Sequence, residues 1–338
     1  MQAATVAQPA VHNARLIPNR YPMISDTQPA VLELGHGISC IDTLQVRPGL
    51  ACCYLVERQG ELAFIEAGTA VGVPALLKLL ADRGYEPEQV RYVIPTHVHL
   101  DHAGGAGLLM QELPEATLVV HPRGARHMID PGKLIAGATA VYGADAMQAM
   151  YGQILPIPET RVLEAPDGFE LALGASTLQF IDTPGHARHH FCVWDAHSAG
   201  MFTGDTFGLS YRELDGPWGA FLMPTTTPVQ FDPQAWEDSL QRMLALQPER
   251  MYLTHYAMVE NVPKLAADLR AGLHRYVAIA EAAPASKRHQ ALREALAADA
   301  VEQLRLAGSA MDEKQIRQII QFDIELNAQG LGVWLDRH

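Results

Sequence analysis

A chain of 338 residues, 48% of them apolar, carries enough hydrophobic material for a large buried core, which excludes a disordered segment. Its formal net charge of −13, without any Lys/Arg-rich run, excludes the basic footprint of a nucleic-acid binder. Four cysteines, Cys40, Cys52, Cys53 and Cys192, make no disulfide framework in a chain of this length; read as buried thiols, they point to a reducing cytoplasm.

Residues 1–30 lack a basic start and a continuous apolar core, so they read as an extension that packs on the domain or reaches a partner subunit, not as a signal peptide. No stretch approaches the apolar length of a membrane span. Between 31 and 68 the pattern is short strands and turns, an opening sheet, and the leucines of 74–84 fall on helical spacing before a terminal glycine. Next comes an apolar run, Tyr92, Val93 and Ile94, ending at Pro95. Four side chains with lone pairs follow it: His97, His99, Asp101 and His102. Strand geometry sends His97, His99 and Asp101 to one side, and His102 joins them only if the backbone bends, which the glycines after it permit. Residues 106–113 then read as a short helix stopped by Pro114. Three imidazoles and a carboxylate within reach of one another at a strand-to-helix junction have the chemistry of a metal site.

Further along, 117–121 is another strand; His121 at its end and the later His127 read as ordinary polar residues. The small-residue helical stretch within 122–165 could form a lid, with Tyr142 and Tyr151 as packing tyrosines or, failing that, as hydroxyl donors to a substrate. The Gly/Pro-punctuated aromatic loop 207–231 is too long for a simple connector. Tyr211, Arg212, Trp218, Phe221 and Met223 are its candidates for a substrate wall. Asp232 and Pro233 read as an N-cap and first helical residue. Beyond 257 the character changes to three helical segments, 262–282, 286–307 and 312–329.

The segment THVHLDHAGG at 96–105 resembles the H-x-H-x-D-H signature of the metallo-β-lactamase-fold hydrolases, of the glyoxalase II and lactonase-like kind. TPGHARHH, FTGDTFG and YLTHYA then supply His186, Asp205 and His255, each just after an apolar run, so that the resemblance covers roughly 31–258. It implies an α/β fold, the αββα sandwich, for 31–258, with an all-helical appendage at 259–338 after the extension at 1–30. Carried over residue by residue, it implies that His97, His99 and His186 hold one metal, that Asp101, His102 and His255 hold the other, and that Asp205 bridges them. Where the family usually carries an aspartate, Glu66 or Ala67 stands here, a departure without evident catalytic consequence.

The implied function is a binuclear metal-dependent hydrolase, with two divalent ions, zinc in the first place and iron or manganese otherwise. A bridging hydroxide would cleave a small-molecule ester, thioester or lactone. Asp101 and Tyr211 are the candidate catalytic side chains, the tyrosine or a metal-bound water supplying a proton to the leaving group. His189 and His190 either orient ligands or are ordinary core or surface histidines. The alternative on the same fold is a mononuclear iron enzyme resembling the persulfide dioxygenases. The helical C-terminus also resembles the part of glyoxalase II that helps to bind glutathione, but Lys264, Arg270, Arg275, Lys287 and Arg288 read better as a solvated helix face. The expected partner is a small-molecule substrate, with neither nucleic acid nor membrane, and the apolar helices are compatible with a homodimer.

Overall fold

The structure, a computed structural model, describes residues 29–226 and 229–338, those at 141 and 142 by backbone only. The extension read at 1–30 therefore lies, but for its last two residues, outside the described residues, as does the side chain of Tyr142.

The first half of the chain builds strands β1 (Val31–Glu33), β2 (Ile38–Asp42), β3 (Cys52–Arg58) and β4 (Glu61–Ile65), then helix α1 (Val73–Asp82) and strand β5 (Val90–Ile94). Helices α2 (Leu100–Ala103) and α3 (Ala106–Glu112), strand β6 (Thr117–Val120), helices α4 (Pro122–Ile129), α5 (Gly132–Tyr142) and α6 (Ala144–Tyr151), and strand β7 (Val162–Glu164) follow. The second half gives β8 (Glu170–Leu173), β9 (Ser176–Asp182), β10 (Phe191–Asp195), β11 (Gly200–Gly204), α7 (Pro233–Ala245), β12 (Arg250–Leu253) and β13 (Ala257–Val259). Three long helices end the chain: α8 (Val262–Ala282), α9 (Arg288–Leu306) and α10 (Glu313–Leu335).

Strands β1 to β7 form one sheet in sequence order, antiparallel up to β4 and parallel beyond it. The β3–β4 hairpin turns on Gln59 and Gly60, both at positive φ (54° and 83°), as a two-residue turn matched to strand twist requires. The second sheet runs β13-β12-β11-β10-β9-β8, and only its β11–β12 pair is parallel.

The two-residue period of the strands sorts their side chains into layers. On β3, Cys52, Tyr54 and Val56 point into the space between the sheets, where Phe180, Phe191, Phe202 and Tyr252 meet them, while Cys53 and Leu55 face α1 and α3. On the second sheet, Cys192, Met201 and Met251 point the other way, under Leu240 and Met243 of α7 and Leu265 of α8. The result is the αββα sandwich, with the inner strands of both sheets buried on both faces, which explains why those strands read as near-continuous apolar runs. All four cysteines are buried and free. Asp232 caps α7, accepting from Ala235 N at 3.0 Å.

The last three helices do not form a separate core. Tyr276, Leu296, Ile316 and Ile320 pack together with Leu50, Leu209, Tyr211 and Trp236 of the sandwich, so the appendage closes over the loops that leave β2 and β11. Among the described residues no helix is long and apolar enough to cross a membrane.

A buried ion pair joins the two sheets: Arg58 at the end of β3 meets Asp195 at the end of β10 at 2.7 Å, with side chains 5% and 0% exposed. Arg58 also donates to the carbonyls of His36 and Glu57, so its charge is well served. Asp195→Ala leaves the guanidinium buried without its counter-ion and should cost about 3–5 kcal/mol, read as a lower urea midpoint. The double variant Arg58→Met/Asp195→Leu should recover most of that loss.

Candidate metal centre

The site stands where β2, β4, β5, β9, β11 and β12 all end, the C-terminal edge shared by strands that run the same way. Beyond β5 the chain delivers His97 and His99, then makes the bend that the sequence required as the single helical turn α2, which carries Asp101 and His102. That turn is pinned from the neighbouring loop, since Ala67 N donates to His102 O and Gly105 N to Gly68 O, both at 2.8 Å. His186 follows β9, Asp205 follows β11 and His255 follows β12. Gly204, at φ 48°, brings the last of β11 so near to Thr96 and His190 that any Cβ there would collide with both.

The seven side chains converge as three overlapping groups whose ligand atoms lie within 4.8 Å of one another: His97, His99 and His186; His97, His102 and Asp205; Asp101, His102 and His255. His99 Nδ1 is 2.7 Å from His97 Nε2 and 3.2 Å from His186 Nε2. Asp205 lies between the halves. Its Oδ2 is 3.3 Å from His186 Nε2, and its Oδ1 is 3.2 Å from His102 Nε2 and 3.6 Å from His255 Nε2. Asp101 Oδ2 is 3.4 Å from His255 Nε2 and 3.6 Å from His102 Nε2.

A further layer fixes each ring. Nδ1 of His102 donates to Glu66 Oε1 at 2.9 Å, that of His186 to Thr225 O at 2.8 Å, and that of His255 to Leu50 O at 2.9 Å. His97 Nδ1 sits 3.2 Å from Thr96 Oγ1, which itself donates to Glu66 Oε1 at 2.6 Å. With Nδ1 so engaged, these four imidazoles turn Nε2 inward.

The Metallo-beta-lactamase superfamily profile matches residues 46–255. The chain belongs to the metallo-beta-lactamase superfamily. Among its relatives there, the metallo-beta-lactamase fold-containing protein ST1585 of Sulfurisphaera tokodaii is 28% identical over 220 residues, 64% of this chain and 76% of the relative. An atrochrysone carboxyl ACP thioesterase of Aspergillus fumigatus is 25% identical over 210 residues, 62% of this chain and 51% of that protein. The crystal structure of ST1585 from Sulfolobus tokodaii superposes with a TM-score of 0.63 at 24% identity, covering 88% of this chain and 99% of that one. This likeness shows the fold.

Members of this superfamily typically bind metal ions, and the donor set here fits them. Ring nitrogens of His97 and His186 converge within 3.2 Å of His99 Nδ1, and Asp205 Oδ1 and His102 Nε2 are buried without a hydrogen-bond partner among the described residues. A cation satisfies all of these at once. Proton affinities divide the cluster in the same way. Burial pushes the pKa of His97, His99 and His186 down, and neighbouring imidazoles push those of His97 and His99 further. His102 and His255 are equally buried, but the carboxylates around them outweigh that, Glu66 and Asp205 for His102, Asp205 and Asp101 for His255. They are raised, His255 to about 9. Asp205 is held well below the ordinary carboxylate range despite its burial, chiefly by His102 and His186.

The cluster opens into a cavity of about 510 Å³. Of the five wall candidates in the aromatic loop, Tyr211 lines it, its hydroxyl donating to Asp323 Oδ1 at 2.9 Å, and burial raises the phenol's pKa. Arg212, Trp218, Phe221 and Met223 do not. Met223 is in the core shared with the C-terminal helices, Trp218 and Phe221 pack on that core, and Arg212 pairs with Asp215 at 3.2 Å. Their apolar surface is spent on holding the appendage. The lid region contributes Tyr151 and Lys133, Leu134 and Ala138 of α5. Lys264, Arg270, Arg275 and Arg288 are ion-paired on the helices and are not in the cavity wall.

Two residues, Gln45 and Asp323, escaped the sequence reading, Glu66 was undervalued in it, and His190 was left between an orienting and an ordinary role. Glu66, thought inconsequential, accepts from Thr96 N, Thr96 Oγ1, His102 Nδ1 and Thr254 Oγ1. His190 accepts from Asp205 N at 3.2 Å through Nε2, which makes it the support beneath that carboxylate. Gln45 and Asp323 line the cavity. For Glu66 the signal was present, a carboxylate directly after the apolar run Leu62 to Ile65. Gln45 and Asp323 had none.

Glu66→Gln would set an amide N–H against a donor on either side, Thr96 N on one or His102 Nδ1 on the other. Metal affinity, measured by competition with a chromogenic chelator, should fall about 10- to 100-fold. A second expectation concerns protein stripped of metal. His255 binds its proton more tightly folded, at about 9, than at its ordinary 6.5, so its contribution to stability is complete below 6.5 and is lost as pH rises to 9. The raised His102 acts in the same sense, and the depressed imidazoles are neutral throughout that window. The thermal midpoint of the stripped protein should therefore drop from pH 6.5 to pH 9.

Proposed function

We propose that this chain is a metal-dependent hydrolase with two divalent ions, zinc in the first place, that cleaves a small-molecule ester, thioester or lactone. The observation that carries the reading is the division of one ligand cluster into an all-imidazole half and a half with two carboxylates, with Asp205 offering one oxygen to each, at the end of a cavity whose wall is mostly apolar. His97, His99 and His186 would hold one ion, Asp101, His102 and His255 the other, and Asp205 both. When bound, the ions supply Lewis acidity toward a carbonyl and lower the pKa of water so that it is a nucleophile near neutral pH.

The chain's own residues do the rest. The Nδ1 bonds of His97, His102, His186 and His255 fix the rings before substrate arrives, so no reorganisation is needed during reaction. Asp101, its side chain 26% exposed against 8% for Asp205, is the more open of the two ligand-cluster carboxylates in the cavity wall and is placed to accept a hydrogen bond from an attacking water. Tyr211 holds its proton against Asp323, in the wall that would face the leaving group. The apolar stretch of the wall, with Leu50, Leu100, Leu134 and Leu326, suits an acyl chain and keeps bulk water out. The thioesterase activity named for the Aspergillus relative supports this class of substrate.

The mononuclear iron alternative is less well supported, because it leaves the close Asp101, His102 and His255 group without a purpose. Metal analysis of protein purified without added metal decides between them: about two zinc ions per chain are expected, and about one iron would favour the alternative. Asp205→Ala should lower the metal content and abolish hydrolysis of a panel of thioesters and lactones. Full activity with unchanged metal would rule out the bridging role.

A further inference from the structure

Cations are unevenly served on this surface. In a chain of net charge −13, most arginines meet a carboxylate of the protein itself: Arg47 meets Glu213, Arg242 meets Asp167, Arg270 meets Glu237 and Arg275 meets Asp299, at 2.6 to 2.8 Å. On α4, α5 and the loop after β9 that pattern stops. Arg123, Arg126, Lys133 and Arg188 are all exposed, and among the described residues none of them pairs with a carboxylate. The acids nearby are engaged elsewhere: Asp130 accepts from Gly132 N at 3.1 Å, Asp182 is 3.0 Å from His121 Nε2, and Asp232 accepts from Ala235 N at 3.0 Å. These cations are felt inside the cavity. Burial lowers the pKa of His127, a residue of its wall, and Arg126 and Lys133 lower it further.

Two of the four stand on a continuation of that cavity. Lys133 lies in the cavity wall with Leu100 and Leu134, and so does Gln230. Gln230 also belongs to the wall of a second hollow, of about 460 Å³, which Arg123, Arg188 and Asp232 line. Gln230 Oε1 accepts from Arg188 N at 2.6 Å, and Arg123 Nη1 donates to Arg188 O at 3.0 Å, so one guanidinium is fixed against the backbone that carries the other. Two guanidiniums against one carboxylate leave the hollow net positive.

Like charges held close together without counter-ions raise each other's free energy, and an entering anion relieves that. Guanidiniums also select the kind of anion, because their planar fork matches a carboxylate or a phosphate with two parallel hydrogen bonds. Asp232 keeps its other oxygen for a donor and so opposes an anion only in part.

We propose that Arg123 and Arg188 form a specificity subsite for an anionic group, a carboxylate or a phosphate, at the far end of the substrate's acyl chain. This deepens the hydrolase reading and rests on it for the scissile carbonyl, though not for the recognition itself. The chain would run from the ligand cluster along Leu100 and Leu134 and past Gln230 into the second hollow. Neither arginine is given a step in bond cleavage. They determine which acyl groups are held with the carbonyl at the ligand cluster.

The test compares thioesters whose acyl chains end in a carboxylate, a phosphate or an uncharged amide, each made over a series of lengths. It uses the metal-loaded wild type, the double variant Arg123→Gln/Arg188→Gln, and Arg126→Gln, which removes a charge from the same helix but lines neither hollow. At the fitting length the wild type should favour an anionic ester over the amide by at least about tenfold in kcat/KM, and whichever it favours identifies the anion. Raising the salt to about 1 M should shrink that ratio. In the double variant it should fall by about tenfold, and in Arg126→Gln it should hardly move. A wild type that does not distinguish the esters overturns the proposal, as do equal losses on all three esters in the double variant, which mean a structural role. A fall in Arg126→Gln as large as in the double variant also overturns it, since a diffuse positive field would then suffice. Calorimetric binding of the matching non-hydrolysable methyl ketones reads the subsite without turnover. Ketone discrimination that disappears in the double variant, with no ester cleaved, sinks the hydrolase reading and sustains the subsite; cleavage without discrimination does the reverse.

Discussion

One buried carboxylate holds the centre together. Glu66 leaves the end of β4 at φ 67° and receives four hydrogen bonds from three segments that are far apart in sequence: two from Thr96 before the ligand run, one from His102 within it, and one from Thr254 beside His255. It is 1% exposed, so the free energy of taking a charge out of water has to be met by those donors. They fix the spacing between the ends of β4, β5 and β12, and with it the distance between the ligands those strands carry. A shorter carboxylate, or one on a looser strand, would need water to fill the gap, and the rings it orients would gain freedom.

The same economy explains the C-terminal helices. A sandwich with ligands at one edge of its sheets has loops but no roof, and the apolar surface of the loops after β2 and β11 needs cover. Helices α8, α9 and α10 supply it by joining their core to Leu50, Leu209, Tyr211 and Trp236. Helix α10 then has one stripe in the core, through Ile316, Ile320 and Leu331, and an adjacent stripe, through Phe322, Asp323 and Leu326, in the cavity wall. Asn327 secures the join, accepting from Thr226 N at 2.6 Å and donating to Pro224 O at 3.0 Å. The appendage is thus part of the site, not a neighbour of it.

What could be read from the sequence follows from this division. The ligand run was legible because three histidines and an aspartate after an apolar strand are a local pattern, and the strands were legible because double burial makes them apolar throughout. The helices of the C-terminus showed their period. Nothing local, however, says that Asp323 faces a cavity and not solvent, because the side of α10 it occupies is defined by loops more than 100 residues earlier. The aromatic loop misled for the same reason. Trp218, Phe221 and Met223 have the composition of a substrate wall, but the same apolar surface serves equally well as a seam between helix and sandwich, and only the packing partner distinguishes them. Glu66 was legible in principle: a charged residue closing a strand whose other positions are buried has to be paired, and the donors nearest in space are those of the ligand loops.

The split in proton affinity is a consequence of the fold as much as of the ligand types. His97 and His99 follow β5 and His186 follows β9, where Asp205 alone comes close, at 3.3 Å from His186, whereas His102 has Glu66 on one nitrogen and Asp205 near the other. Burial is the same for both sets and so cannot be the cause of the difference; the placement of two carboxylates is. In the carboxylate half, protons on His102 and His255 can offset negative charge that a cation would otherwise offset. In the imidazole half the rings converge on one another, and burial together with the neighbouring imidazoles keeps His97 and His99 from charging. The two halves of one cluster therefore differ in how readily they take up protons, and Asp205, with an oxygen near each, is the group they share.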